Sequence, residues 1–488
     1  MDSMGLPLDP APSTSDVLEP ITLTNLAPEI LLAIVDCVHA FPNETKVTTE
    51  HRVIAPQCLL YLALICRQFH SIIKPILYTH FETSDGTRAK EKLAKFMVTI
   101  LARPDLAQQI RILHTWWYCD SRENFNYEPE DWTRVEAATR EVLPSRENQP
   151  KHYPVYQGFG DFVEEWAEDI ASGYWDAIIT LLVSRLPNLE VLNFEGWFNE
   201  IDGHPPTINF PIIMGAIERA IDLQKRSELS SPLAMSNLQH ITTKHSKPKR
   251  EGIQVYWLFP FLNIPSVRSF EGSGTENDKR HDFPPELDTT WDRGSYVFNT
   301  KKLVLDRSML DRRTLEKFLS LFPHLECLYY SHLIWGSSGS EVPFVLQYFF
   351  KPIQLLKPYL KHLTLLRLGS VGCLNAPNWE IVSLTDFYQL KTIGMDVTLM
   401  FEGEASDDSA CLAKLLPPQL ESLTLRGALA RYVPNILKLI AQRDTFVPAL
   451  KRLDLRWKGI RGQGRAALGE SSLRYGFSKE EADASFNG

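Results

Sequence analysis

Several short stretches of the sequence carry residue types that could do chemistry. "GQGRAA", Gly462 to Ala467, has the G-x-G-x-x-A spacing of a dinucleotide-binding turn and follows an apolar, strand-like run. Such a turn needs a helix and a second strand after it, and only some 20 residues remain, so a C-terminal cap is the better reading. "WGSSGS", Trp335 to Ser340, lacks the glycine spacing of a nucleophile elbow. His240 and His245 are five apart with no cysteine or carboxylate between them, a weak metal pair. Cys66 has apolar neighbours, which raise a thiol's pKa, so it reads as a packed helix residue and not a nucleophile. "KHSKPKR", Lys244 to Arg250, is a basic cluster that suits either a nuclear import signal or an exposed loop. No H-E-x-x-H, P-loop or EF-hand pattern occurs. These residues imply no metal, no cofactor and no catalysis by this chain.

The bulk properties agree with a binding protein. The chain has 488 residues, 44% hydrophobic and 23% charged, enough for a core but too many for one compact domain unless it is an elongated repeat array. A net charge of −9 argues against nucleic acid as the partner. Seven cysteines, at 37, 58, 66, 119, 327, 373 and 411, form no C-x-x-C pair, which fits a reducing compartment. The first 20 residues have neither a basic region nor an apolar core, and no apolar run has the length of a spanning helix. The expectation is a soluble protein of the cytoplasm, the nucleus or both, with no membrane partner.

The elements fall into two groups. Near the N-terminus, Ile30, Leu31, Ile34, Val35 and Val38 form one helical stripe begun by Pro28. A second stripe, Leu59, Leu62, Cys66, Phe69, Ile73 and Ile76, is expected to break or kink at Pro75. Leu60, Leu64, Ile65 and Ile72 lie off that stripe, so more than one side of this segment needs cover. A unit this small cannot bury them all, so either the rest of the chain or another protein does.

Further on, one pattern recurs: leucine, two residues, leucine, one residue, apolar. It stands at Leu189, Leu325, Leu360, Leu390, Leu420 and Leu450, with weaker copies at Ile110, Leu238, Val267 and Thr300. From 360 the starts are 30 residues apart; earlier gaps vary, which implies insertions. In "LESLTL", Leu423 and Leu425 point to one face of a strand and Leu420 enters the same core from the turn. One such strand cannot bury its apolar side, but a stack can. "DRRTLEKFLSLF", "EVPFVLQYFFKPIQLL" and "VPNILKLIAQR" read as the intervening helices. Residues 120–170, with 13 acidic and 5 basic residues, read as an insertion carrying one helix, "DFVEEWAEDIASGYWDAIITLLVSRL", and as either a solvated loop or a lure for a basic substrate.

The order Leu26-Ala27-Pro28-Glu29-Ile30-Leu31, then Ile34, Leu59-Leu60 and Leu62 through Phe69 resembles the F-box. Leu26, Glu29, Ile30, Leu31, Cys66, Arg67 and Phe69 fall on that family's pattern, and "KPILYTHF" is similar to the segment following it in fungal members. Ala27 replaces the usual proline, and the link between the helices is longer than usual. With the repeats, the chain resembles fungal F-box proteins with leucine-rich repeats. The implied fold is an α/β repeat: an N-terminal three-helix F-box-like module followed by an irregular leucine-rich-repeat horseshoe. The implied boundaries are a disordered 1–21, the module at 22–82, linking helices, a first repeat and the acidic insertion at 83–185, the array at 186–460 and a tail at 461–488.

The resemblance implies the substrate-recognition subunit of a cullin-based, SCF-type ubiquitin ligase, joined through a Skp-type adaptor. Leu26, Pro28, Glu29, Ile30, Leu31, Ile34, Leu59, Leu62, Leu64, Ile65 and Phe69 would include the adaptor contacts, some of them being core instead. Substrate would meet outward strand residues: Tyr330, Arg426, Arg456 and Trp457 are the leading choices, with Asn193, Thr424 and Asp454 beside them. Two alternatives stay open: a leucine-rich-repeat scaffold without ligase association, and an enzyme within residues 120–300.

Overall fold

The computed structural model describes residues 26–40, 54–83, 89–118, 127–142, 162–197, 217, 235–245, 253–276, 297–333, 346–368, 383–396, 399, 412–427, 432–458 and 470–476. The chain divides into two compact units, Met1–Thr79 and His80–Gly488.

The first unit has three helices: α1 (Pro28–Ala40), α2 (Ile54–Ile65) and α3 (Arg67–Leu77). Its core takes two residues from each: Leu31 and Val35, Leu59 and Ala63, Phe69 and Ile73. The break after α2 falls at Cys66, whose extended backbone (φ −154°, ψ 164°) precedes α3, and not at Pro75. Pro75 lies in the last turn of α3, where one missing N–H removes a single helical bond; its carbonyl accepts from Thr79 Oγ1 at 2.8 Å. The expected break at Pro75 is thus corrected.

The second unit is a repeat α/β solenoid. Its main sheet contains β1 (His80–Glu82), β2 (Ile112–Tyr118), β3 (Val191–Trp197), β4 (His240–His245), β6 (Ser269–Ser273), β8 (Lys302–Ser308), β9 (Cys327–Leu333), β10 (His362–Leu368), β11 (Thr392–Asp396), β12 (Ser422–Arg426), β13 (Arg452–Lys458) and β14 (Glu470–Gly476), side by side in chain order. The first eleven are parallel; β14 closes the sheet antiparallel to β13. A separate parallel pair joins β5 (Ile253–Gln254) to β7 (Thr275–Glu276).

The leucine pattern and the register coincide. Leu113, Leu192, Ile241, Phe270, Leu303, Leu328, Leu363, Ile393, Leu423 and Leu453 are successive cross-strand partners, each at most 1% exposed. The turn residues ahead of them, from Ile110 to Leu450, are buried too. The next inward row reads Thr115, Phe194, Thr243, Gly272, Leu305, Tyr330, Leu365, Met395, Leu425 and Leu455. In three N-terminal strands Thr115, Thr243 and Gly272 stand where the other strands carry large apolar residues, which is why those sequence copies are weak.

Two hydrogen-bond sets lock one repeat to the next. The carbonyl ahead of each strand accepts two N–H groups from the following repeat: Arg111 O takes Glu190 N at 2.8 Å and Val191 N at 3.0 Å, and Glu421 O takes Lys451 N and Arg452 N at 2.9 and 3.1 Å. Amide side chains in the turns reach back one repeat: Asn188 Nδ2 donates to Gln108 O at 2.8 Å, Asn237 Nδ2 to Pro187 O at 3.1 Å, and Gln419 Nε2 to Phe387 O.

Several expected boundaries move. The sheet begins with β1 inside the span expected for the helical module, β2 falls in the segment expected to hold a first repeat, and β14 lies within the segment expected to be a tail. The single helix expected across residues 161–186 is two, Phe162–Ala171 and Trp175–Arg185, separated at Gly173 (φ 72°), a left-handed conformation that glycine adopts without cost. Trp166, Ile170 and Trp175 bury there, and Pro129–Val142 forms a further helix, so much of the acidic stretch is packed structure. "GQGRAA", "WGSSGS" and residues 246–250 of "KHSKPKR" lie outside the described residues.

Candidate functional site

In the first unit, α2 is apolar on two sides. Leu59 and Ala63 face the core. Leu60, Tyr61, Leu64 and Ile65 are 50%, 66%, 73% and 52% exposed. Spacings of three and four place these four on one outer face of the helix. On α1, Ile30 (49%) and Leu32 (43%) are also exposed. Isolated exposed leucines are ordinary; here four apolar side chains share one helix face and form an exposed patch.

The residues implied as adaptor contacts therefore separate. Ile30, Leu64, Ile65 and Glu29 are exposed. Leu26, Ile34 and Leu62 are partly buried against the core. Leu31, Leu59 and Phe69 are interior, at 1%, 3% and 0% exposure, and serve as packing. Pro28 opens α1, and its side chain lies outside the described residues. Leu60 and Tyr61 were not among the expected contacts; their i, i+4 relation to Leu64 and Ile65 was the available signal.

In the second unit the outward sheet face carries the polar residues. One row reads Tyr329, Thr364, Gly394, Thr424 and Asp454. Beside it, Asp396, Arg426 and Arg456 are cross-strand partners. Asp454 is 2% exposed and receives both Arg452 Nε (3.1 Å) and an Arg452 terminal nitrogen (2.7 Å). That doubly bonded pair holds the Arg452 guanidinium charged. Arg456 stands 3.9 Å from the same carboxylate. Arg426 is half-buried, and its buried Nε has no hydrogen-bond partner among the described residues.

A bulge in β8 shapes the same face. Arg307 has φ 50°, a conformation rare outside glycine. Its N–H donates to Ser331 Oγ at 2.7 Å, and Ser331 Oγ donates to Asp306 Oδ1 at 2.7 Å. Burial and the Asp306 charge push the Tyr329 phenol above its ordinary value.

Of the residues expected to meet substrate, Arg426 and Arg456 lie on the outward face, half-buried. Trp457 lies on β13, with its side chain outside the described residues. Tyr330 is corrected: it is fully buried, occupying the third apolar position of "LECLYY". Its hydroxyl accepts from Leu310 N at 3.3 Å and lies 3.0 Å from His332 Nδ1. The outward aromatic is its neighbour Tyr329. Asp454 is tied into its arginine pair, while Asn193 and Thr424 are half-buried. His240 and His245 sit at opposite ends of β4. Among the described residues, no group of three His, Cys, Asp or Glu side chains is placed to hold a metal.

The family model of a leucine-rich repeat domain matches residues 86–284. The second unit thus contains a leucine-rich repeat domain, and the register above carries the same repeat on to residue 458. The matched segment does not extend over the three-helix unit. No curated protein matches the chain.

Proposed function

We propose that this protein is the substrate-recognition subunit of a cullin-based ubiquitin ligase. The helical unit docks a Skp-type adaptor, and the leucine-rich repeats hold a protein substrate. The observation that carries this reading is the outer face of α2: Leu60, Tyr61, Leu64 and Ile65 are exposed and lie outside the six buried core residues described in the unit. A helix with a spare apolar face is suited to a partner's groove. The F-box-like residues Leu26, Glu29, Ile30, Leu31, Cys66, Arg67 and Phe69 name the adaptor class. In that arrangement the chain contributes binding and orientation, and other subunits the chemistry.

The test is co-purification of a Skp-type adaptor with the full chain and with residues 80–488. Capture by the full chain alone is the expected result. No capture by folded full-length protein would leave the second reading, a leucine-rich-repeat scaffold without ligase association.

A further inference from the structure

Ten residues form a continuous row along the N-terminal edge of the parallel sheet: Arg111, Glu190, Gln239, Arg268, Lys301, Glu326, Lys361, Lys391, Glu421 and Lys451. Each one's backbone N–H bonds the carbonyl of the one before it, so the order is set by the fold. Six are cations and three are carboxylates, in a chain whose net charge is −9. Two lysine–glutamate–lysine triplets result: Glu326 between Lys301 (2.9 Å) and Lys361 (2.7 Å), and Glu421 between Lys391 (3.2 Å) and Lys451 (3.0 Å).

A row serving only to fasten repeats would alternate in sign. This one has two steps where cation follows cation, Arg268 to Lys301 and Lys361 to Lys391, and none where anion follows anion. Adjacent strands are about 4.8 Å apart, so each such step is repulsive within the isolated chain. The triplets set four ammonium groups against two carboxylates, so positive charge remains in excess after the pairs have formed. An ammonium has three N–H donors, and each carboxylate contact leaves others to offer.

We propose that this edge is a docking strip for an extended, acidic protein segment bearing two pairs of carboxylates. The like-charge steps are three strand spacings apart, about 14 Å, which an extended chain covers in about four residues. Nucleic acid fits less well: a duplex presents one charge per roughly 1.7 Å, while this row is sparse and interrupted by Glu190, Glu326 and Glu421. The inference rests on the protein-binding half of the proposed function and is independent of the adaptor.

The experiment titrates full-length protein into a short fluorescent peptide with two Asp-Glu pairs whose centres lie four residues apart. The expected result is binding that weakens as salt rises, about tenfold weaker in K361E/K391E and weaker in the gentler K361Q/K391Q. Variants are compared at matched Tm, so loss through unfolding is recognised. Equal affinity for wild type and both variants overturns the proposal, as does tighter binding to a duplex oligonucleotide than to the peptide. Adaptor capture without peptide binding sinks the strip and spares the ligase reading. Charge-dependent peptide binding without adaptor capture does the reverse.

Discussion

Replacing Leu423 with Ala tests the inward register, on which every assignment of core and surface in the second unit depends. Leu423 is 0% exposed, and its cross-strand partners Ile393 and Leu453 are as deeply buried. Three carbons are lost, about 2.4 kcal/mol at roughly 0.8 per buried methylene. A cavity between two fixed neighbours adds about 1 kcal/mol, for a total near 3. The neighbouring Thr424 points outward and is half-buried, so its alanine variant should change stability by no more than about 0.5 kcal/mol. Hydrogen exchange of the amides in β11, β12 and β13 reads these directly. Leu423→Ala should speed exchange about 100-fold and Thr424→Ala about twofold at most. Comparable effects, or a larger one at Thr424, would mean a register slipped by one residue and would refute the inward row.

Three further outcomes follow from single contacts. Thr243 Oγ1 is buried on β4 with no hydrogen-bond partner among the described residues, so Thr243→Val should raise stability by about 1 kcal/mol in urea unfolding. Tyr330→Phe removes the acceptor of the Leu310 N–H and should cost about 1–2 kcal/mol by the same measurement; no change would mean that this buried bond contributes nothing. Hydrogen bonds from Lys361 and Lys301 hold the Glu326 carboxyl at about 2, below its ordinary 4.5. The stability this lends is present above pH 4.5 and lost as pH falls toward 2, so the Tm difference between wild type and Glu326→Gln should shrink from pH 7 to pH 3.

Much of the second unit was legible because its signal repeats. "LKHLTL", "LKTIGM", "LESLTL" and "LKRLDL" begin 30 residues apart, and β10 to β13 begin at the same interval. The earlier repeats were fainter for a physical reason: Thr115, Thr243 and Gly272 stand where a third apolar residue would complete the pattern. Tyr330 was misread because a tyrosine suits either face; its place in "LECLYY" already marked it as inward. The break at Cys66 was hidden by an apolar stripe running unbroken from Leu59 to Ile76, since periodicity shows which face is buried, not where the backbone turns. In the first unit the sequence showed a surplus of apolar faces but not which residues filled them. Leu31, Leu59 and Phe69 match the F-box-like pattern yet form the core, whereas Leu60 and Tyr61 carry the exposed surface. The charged edge of the sheet was not legible, because its members lie 25 to 79 residues apart and meet only through the stacking of repeats.

Adaptor docking is tested by the affinity of the purified full-length chain for a purified Skp-type adaptor, with wild type beside Leu64→Asp. Leu64 is 73% exposed and does not belong to the six-residue core, so the variant should keep the Tm of the wild type. Wild type should form a measurable complex, and Leu64→Asp should lose it at unchanged Tm. Absence of a complex from folded wild-type protein, or undiminished binding by Leu64→Asp, would contradict adaptor docking.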